Sequence, residues 1–328
     1  MLIFKKYFFL ISIFYFITAC NEGKKVGSTS TSEEKKVVVP IFNEDSAFAF
    51  VKKQVEFGPR VPGTKAHANC ADYFVKILSS YGASVYMQNG DVKTFDGKKF
   101  NLKNIIASFN PKQTKRVMFA AHWDTRPFAD QDTKNQDKAI DGANDGASGA
   151  GVLLEIARQF SLKNPNMGVD LFLFDIEDYG QPENSKYPEM QDSYCLGSQY
   201  WAKNPPIPNY RPQYGVLLDM VCGSDVVFTQ EEVSRTYAPQ VLEYVWQKAA
   251  KAGYSSNFSY EHTPAIIDDH YYVNALANIP MVDLIHRDAS SNSGFWKHWH
   301  THNDKLVNID KKSLKVVGQT LMELVYGE

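Results

Sequence analysis

Four short, unbroken apolar runs constrain the fold more than anything else in this sequence. They lie at residues 116–122 (Arg-Val-Met-Phe-Ala-Ala-His), 170–175, 214–218 and 280–285. A strand with one wet face alternates apolar and polar residues, whereas a strand that is apolar throughout is covered on both faces. Stretches with helical spacing follow the first three runs or precede the fourth, at 147–160, 197–203, 231–252 and 267–277, and a last helix is expected at 310–325. Strands alternating with helices of this length predict an α/β fold, with a central, mixed, mostly parallel twisted sheet between two helical layers. Upstream, helices are expected at 44–55 and 64–81, separated by Phe57-Gly-Pro-Arg-Val-Pro-Gly63. Strands are expected at 83–88 and 104–109, on either side of a turn at Asp96-Gly97.

In such sheets, sites gather beyond the carboxyl ends of the parallel strands. The polar clusters of this chain fall there: His122 and Asp124 end one run, Glu177 and Asp178 follow another, Asp219 a third and His286 a fourth. Asp145 stands in Asn144-Asp-Gly-Ala-Ser-Gly149, small residues that open an apolar helix. The turn lets backbone come close to whatever that carboxylate holds. Trp299-His-Thr-His302 completes the set. Asp, Glu and His converging in this way are ligands for zinc. Glu177 and Asp178 are adjacent, and neighbours on a turning backbone point apart. One can therefore face a metal while the other faces substrate as acid or base.

The rest of the chain narrows the setting. Lys5 and Lys6 precede an apolar run at 7–17, too short for a stable span and typical of a signal peptide. The run ends Ile17-Thr-Ala-Cys20, like a lipobox. Residues 1–19 are therefore expected to be a lipoprotein leader, Cys20 a lipidated anchor, and 20–40 a solvated tether rich in Gly, Ser, Thr, Lys and Glu. Residues 41–328 would form one domain, held at the cell envelope outside the cytoplasm. Formal net charge is −2 without a basic stripe, which argues against nucleic acid as a partner. Cys195 and Cys222 could pair, though an odd count of Cys70, Cys195 and Cys222 favours buried free thiols.

The ordered set His122-x-Asp124, Asp145, Glu177-Asp178, Asp219 and His300-Thr-x-x-Asp304 resembles the zinc-dependent aminopeptidases and their relatives, the glutaminyl cyclases. The Phe-Gly-Pro-Arg stretch at 57–60 fits as well. The resemblance spans about residues 40–328 and implies a three-layer α/β/α, zinc-aminopeptidase-like fold. In the cyclase branch it implies one zinc on Asp145, Asp178 and His300, a proton shuttle at Glu177, and acidic partners Asp219 and Asp268 beside the substrate. In the aminopeptidase branch two zincs would share Asp145, and His122 and Asp219 would serve the second.

Three features point to the cyclase: Trp299 directly before His300, the element Ile267-Asp-Asp-His270, and His122-Trp-Asp-Thr-Arg-Pro127. One departure is Asp178, where the animal cyclases carry Glu. Tyr194 or Trp201 is expected as a further pocket aromatic. His298 and His302 flank His300 as alternative ligands, and His122 is left as second metal ligand or support. The implied substrates are peptide or protein N-termini beginning with Gln. The implied reaction is cyclisation to pyroglutamate with release of ammonia.

Overall fold

The computed structural model describes residues 38–327. The expected leader, Cys20 and most of the tether therefore lie outside the described residues. Of the tether, 38–40 are described. The carbonyls of Val38 and Pro40 accept hydrogen bonds from Lys163 and Gln319, so the folded unit already includes them.

Eight strands and eight α-helices are described. Helices α1 (Glu44–Glu56) and α2 (Lys65–Ser80) come first, then strands β1 (Ser84–Lys93), β2 (Lys99–Phe109) and β3 (Arg116–His122). Next are α3 (Ala147–Leu162), β4 (Gly168–Phe174), α4 (Leu196–Lys203) and β5 (Gly215–Asp219). The chain continues with β6 (Phe228–Glu231), α5 (Glu232–Tyr237), α6 (Pro239–Lys251) and β7 (Phe258–Thr263). It ends with α7 (Asp269–Ala277), β8 (Met281–Ile285) and α8 (Lys311–Tyr326).

The main sheet has the order β1-β2-β4-β3-β5-β8. β4, β3, β5 and β8 are parallel; β1 and β2 are antiparallel to their neighbours. The three layers follow from the period-two geometry of strands. Val117, Phe119 and Ala121 of β3, with Val169, Leu171 and Leu173 of β4, join one apolar core with helices α1, α2, α3, α6 and α8. The intervening Met118, Ala120, Phe172 and Phe174 join another with Trp201 of α4 and Val273 of α7. Both faces are buried, hence the unbroken apolar runs.

Two local expectations are corrected. The single helix at 231–252 is two, α5 and α6, broken at Ala238 (φ −137°, ψ 44°). Pro239 disfavours helical backbone at the residue before it and serves as the first residue of the next helix. Strands β6 and β7, absent from the sequence reading, pair as a small second sheet. β1 and β2 are also longer than expected, forming a hairpin around Asp96-Gly97. No helix among the described residues is long and apolar enough to cross a membrane.

Candidate active site

The parallel strands deliver their carboxyl ends to one edge of the sheet. His122 is the last residue of β3 and Asp219 the last of β5; Glu177 and Asp178 follow β4 by a short turn. Asp145 precedes α3, where the helix N-terminus favours a negative charge. The turn depends on Gly146, at φ +90°, where an added Cβ would collide with the Asp124 carbonyl oxygen.

Buried hydrogen bonds fix these side chains. Asp124 accepts from the backbone N–H groups of Glu177 (3.0 Å) and Asp178 (3.2 Å), so it sets the acidic pair without facing the cavity. Asp304 accepts from the N–H groups of Asn144 (2.7 Å) and Asp145 (3.0 Å). Burial and the neighbouring Asp145 push the Asp304 carboxyl up to about 8. Arg60, fully buried, donates to the carbonyls of Asp141 (2.5 Å) and Gly142 (2.7 Å), which explains the arginine of the Phe-Gly-Pro-Arg stretch. Asp175 is turned away from the site, paired with His67 at 2.8 Å.

Eight of the residues predicted for the site line one cavity of about 480 Å³: Asp145, Glu177, Asp178, Tyr194, Asp219, Asp268, Trp299 and His300. His122 lies beneath it, with Nε2 at 3.1 Å from both Asp145 Oδ1 and Asp219 Oδ1. Burial opposes charge on that ring, but Asp124, Asp145 and Asp219 outweigh it and raise its proton affinity. Burial raises the Glu177 carboxyl well above the usual range; Asp268 and Asp178 add to this against the opposing pull of His122. Burial and then Asp219 push Asp268 up to about 6, and burial raises Asp219 as well. One oxygen of Asp268 caps α7 through the Asp269 N–H, while its Oδ2 has no partner among the described residues. Cys195 donates its thiol hydrogen to Glu177 Oε1 at 3.3 Å. Cys195 and Cys222 are both free and buried.

The donor set fits a zinc ion. Ligand atoms of Asp145, Asp178 and His300 all lie within 4.8 Å of one another. Asp145 Oδ2 and Asp178 Oδ2 are buried with no hydrogen-bond partner among the described residues, which is costly for carboxylates unless a cation meets them. His300 Nε2 is 3.1 Å from Asp178 Oδ1, and its ring stacks on Trp299 at 3.8 Å between centroids. His302 instead pairs with Asp132 (3.0 Å), and neither it nor His298 lines the cavity. A second group, His122, Asp145 and Asp219, meets the same 4.8 Å limit and shares Asp145. Of the two candidate aromatics, Tyr194 lines the cavity, whereas Trp201 is packed in the core around α4.

Sequence reading missed Asp130 and gave Arg126 no role beyond its place in His122-Trp-Asp-Thr-Arg-Pro127. Asp130 Oδ1 is 3.2 Å from His300 Nδ1, within ion-pair distance though outside hydrogen-bond geometry, so a carboxylate stands where one can orient a metal-binding histidine. Arg126 holds Asp130 through two hydrogen bonds (2.6 and 2.9 Å) and donates to the Asp178 carbonyl (3.0 Å). It also lies 5.3 Å from the Tyr194 ring centroid. Arg126 and Asp130 sit four residues apart in a loop, a spacing that signals nothing by itself.

Comparison with known proteins identifies the family. Residues 104–325 match the model of peptidase family M28. A glutaminyl cyclase from Tannerella forsythia superposes with TM-score 0.86 at 47% identity, over 88% of this chain and 100% of that one. A Zn-dependent exopeptidase from Parabacteroides distasonis gives the same TM-score and identity, over 89% and 100%. The bovine glutaminyl-peptide cyclotransferase is 26% identical over 255 residues, 69% of this chain and 66% of that protein's length. The chain therefore belongs to peptidase family M28, among the zinc-aminopeptidase-like proteins that include the bacterial glutaminyl cyclases.

Proposed function

We propose that this chain is a glutaminyl-peptide cyclotransferase, which closes the N-terminal glutamine of a peptide or protein to pyroglutamate and releases ammonia. One zinc ion, held by Asp145, Asp178 and His300, would supply a Lewis acid toward the side-chain amide of that glutamine. The nucleophile is the substrate's own α-amine, so the chain supplies none. Glu177 takes a proton from the amine and delivers it to the leaving amide nitrogen. Its raised proton affinity suits that relay, which is typically worth about 10²–10⁴-fold in rate. Asp219 and Asp268, if they share a proton, would hold the departing ammonia by hydrogen bonds. Trp299 and Tyr194 wall the pocket and keep the short side chain folded toward its own amine.

The observation that carries this reading is the composition of the cavity wall: Glu177, Asp219 and Asp268 line it in addition to the three residues that would bind metal, Asp145, Asp178 and His300. The names of the Tannerella and bovine relatives support it. A second reading, a di-zinc aminopeptidase, draws on the donor group of His122, Asp145 and Asp219. In that enzyme Glu177 would deprotonate an attacking water instead. Zinc per chain, measured beside ammonia release from a Gln-initiated dipeptide and amine release from a Leu-initiated one, separates the two. One zinc with ammonia is expected; two zincs with hydrolysis of the Leu peptide would overturn the cyclase.

The N-terminal expectations complete the proposal. Lipidation at Cys20 would anchor the enzyme at the cell envelope, where exported proteins with N-terminal Gln are its substrates. Cys20→Ala should move the protein from the membrane to the soluble fraction; retention in the membrane would refute the anchor.

A further inference from the structure

The proton relay falls to Glu177, and few groups hold that carboxylate. Its Oε2 is 3.7 Å from His122 Nδ1, an atom with no hydrogen-bond partner among the described residues. Its Oε1 accepts from the Cys195 thiol at 3.3 Å. No other hydrogen bond reaches that carboxylate among the described residues. The same thiol lies 3.9 Å from Asp268 Oδ1, so the sulfur stands between Glu177 and the carboxylate proposed to meet the departing ammonia.

The backbone at Cys195 is an unfavourable one for cysteine. It is left-handed (φ 58°, ψ 34°), a region that suits Gly or Asn better. Cys195 is also the N-cap of α4, where Ser, Thr, Asp or Asn would bond a free N–H of the helix, and its side chain makes no such bond. Instead the residue is clamped to the acidic turn. Its N–H donates to the Glu177 carbonyl at 2.9 Å, and the Leu196 N–H donates to the Ile176 carbonyl at 2.9 Å. Ile176 is left-handed too, at φ 52°. Such sparsely populated conformations persist where the surrounding fold imposes them, and they gather at functional sites. Here the imposed geometry is a short, fixed path from the Cys195 backbone to Glu177 Oε1. Cys195 is fully buried, and burial raises its thiol well above the usual range. It therefore stays an S–H donor at neutral pH rather than a thiolate nucleophile.

We propose that Cys195 is a positioning residue for Glu177, its thiol fixing the carboxylate in the orientation from which it reaches the substrate's α-amine. The inference rests on the cyclase reading and deepens it with a residue that does not itself line the cavity. A glutamate side chain turns about several bonds, and a carboxylate free to do so spends only part of its time within reach of the proton it must take. The backbone clamp fixes the near end of Glu177 and the thiol fixes the far end. A thiol is a weak donor, so it orients the carboxylate without competing strongly for the lone pair that accepts the proton.

The test compares wild type, Cys195→Ala and Cys195→Ser as zinc-loaded, full-length chains, after thermal melts establish that each is folded. Ammonia release from a Gln-initiated dipeptide gives kcat and KM, and competition with a chelator gives zinc affinity. Infrared difference spectra of wild type against Cys195→Ser isolate the S–H stretching band of Cys195. Cys195→Ala should lose about three- to tenfold in kcat, the worth of one ordinary hydrogen bond, with KM and zinc affinity unchanged. Cys195→Ser keeps a donor at that position and should regain most of the loss. The S–H band should lie below that of a free thiol and move when Glu177→Gln weakens the acceptor. A role in packing alone predicts otherwise. Equal kcat losses in the two variants, or no loss in Cys195→Ala, would overturn the inference while leaving the cyclase intact. An S–H band indifferent to Glu177→Gln would overturn it as well, and that measurement stands even where Cys195→Ala fails to fold. Ammonia from none of the proteins, wild type included, would remove the cyclase reading and this inference with it.

Discussion

Asp130 provides the sharpest test of how the metal end of the site is held. Its carboxylate has one oxygen 3.2 Å from His300 Nδ1, and both oxygens are engaged by Arg126 at 2.6 and 2.9 Å. Burial opposes ionisation of Asp130, but His300 and then Arg126 outweigh it and lower its pKa, so it is an anion at neutral pH. Asp130→Asn keeps the shape and one acceptor oxygen but removes the charge that makes the His300 ring a better donor to metal. Loss of such a supporting carboxylate costs about 10–100-fold in metal affinity, or roughly 1.4–2.7 kcal/mol. Zinc affinity measured by competition with a chelator should fall by that factor. Asp130→Glu, which restores the charge one methylene further out, should recover part of it. An unchanged zinc affinity in Asp130→Asn would refute the role given to Asp130 and leave it as a partner of Arg126 alone. To separate folding from metal binding, thermal melts would be run on metal-free protein, where the variant should fold.

Other consequences can be tested alongside. Glu177→Gln should retain zinc yet lose about 10²–10⁴-fold in kcat for ammonia release; full activity would end the proposed relay. Gly146→Ala should destabilise the chain by roughly 1–3 kcal/mol and weaken zinc binding, because φ +90° is strained for alanine and its Cβ meets the Asp124 carbonyl; an unchanged urea midpoint and zinc affinity would contradict this. Asp268 has a folded pKa raised from 3.8 to about 6, so between those values the folded chain holds more protons than the unfolded one. Its contribution to stability is present below about pH 4 and is lost as pH rises toward 6. Urea midpoints of metal-free Asp268→Asn should therefore fall less than those of wild type across pH 4–6, and parallel curves would refute the assignment.

Legibility in the sequence followed burial. Strand β3 was read to the residue because both its faces are covered, so nothing polar interrupts Arg116–His122. Strand β7 was missed because only its first residue, Phe258, is buried; Ser-Tyr-Glu-His-Thr carries neither an apolar run nor clean alternation. The break between α5 and α6 was marked by Pro239, but the helical spacing on either side hid it. At the site, the ligand candidates were legible because Asp, Glu and His at strand ends have few structural reasons to gather there. Choosing a branch of the family needed the resemblance at Trp299 and Asp268. Asp130 was invisible, and Arg126 was legible only as part of His122-Trp-Asp-Thr-Arg-Pro127, because an arginine and an aspartate in a polar loop look like any solvated pair until the fold buries them.

The clasp between Asp304 and the Asn144–Asp145 turn joins positions 160 and 159 residues apart. The ribosome delivers the first of these long before the second. Until the last tenth of the chain has arrived and docked, the turn that presents Asp145 lacks its anchor. With zinc bound as proposed, metal capture would be a late event in the life of each molecule, and an incomplete chain a poor competitor for zinc. Zinc occupancy would then act as a proofreading mark: it would report that the two ends of the domain have met, and protect those molecules in which they have.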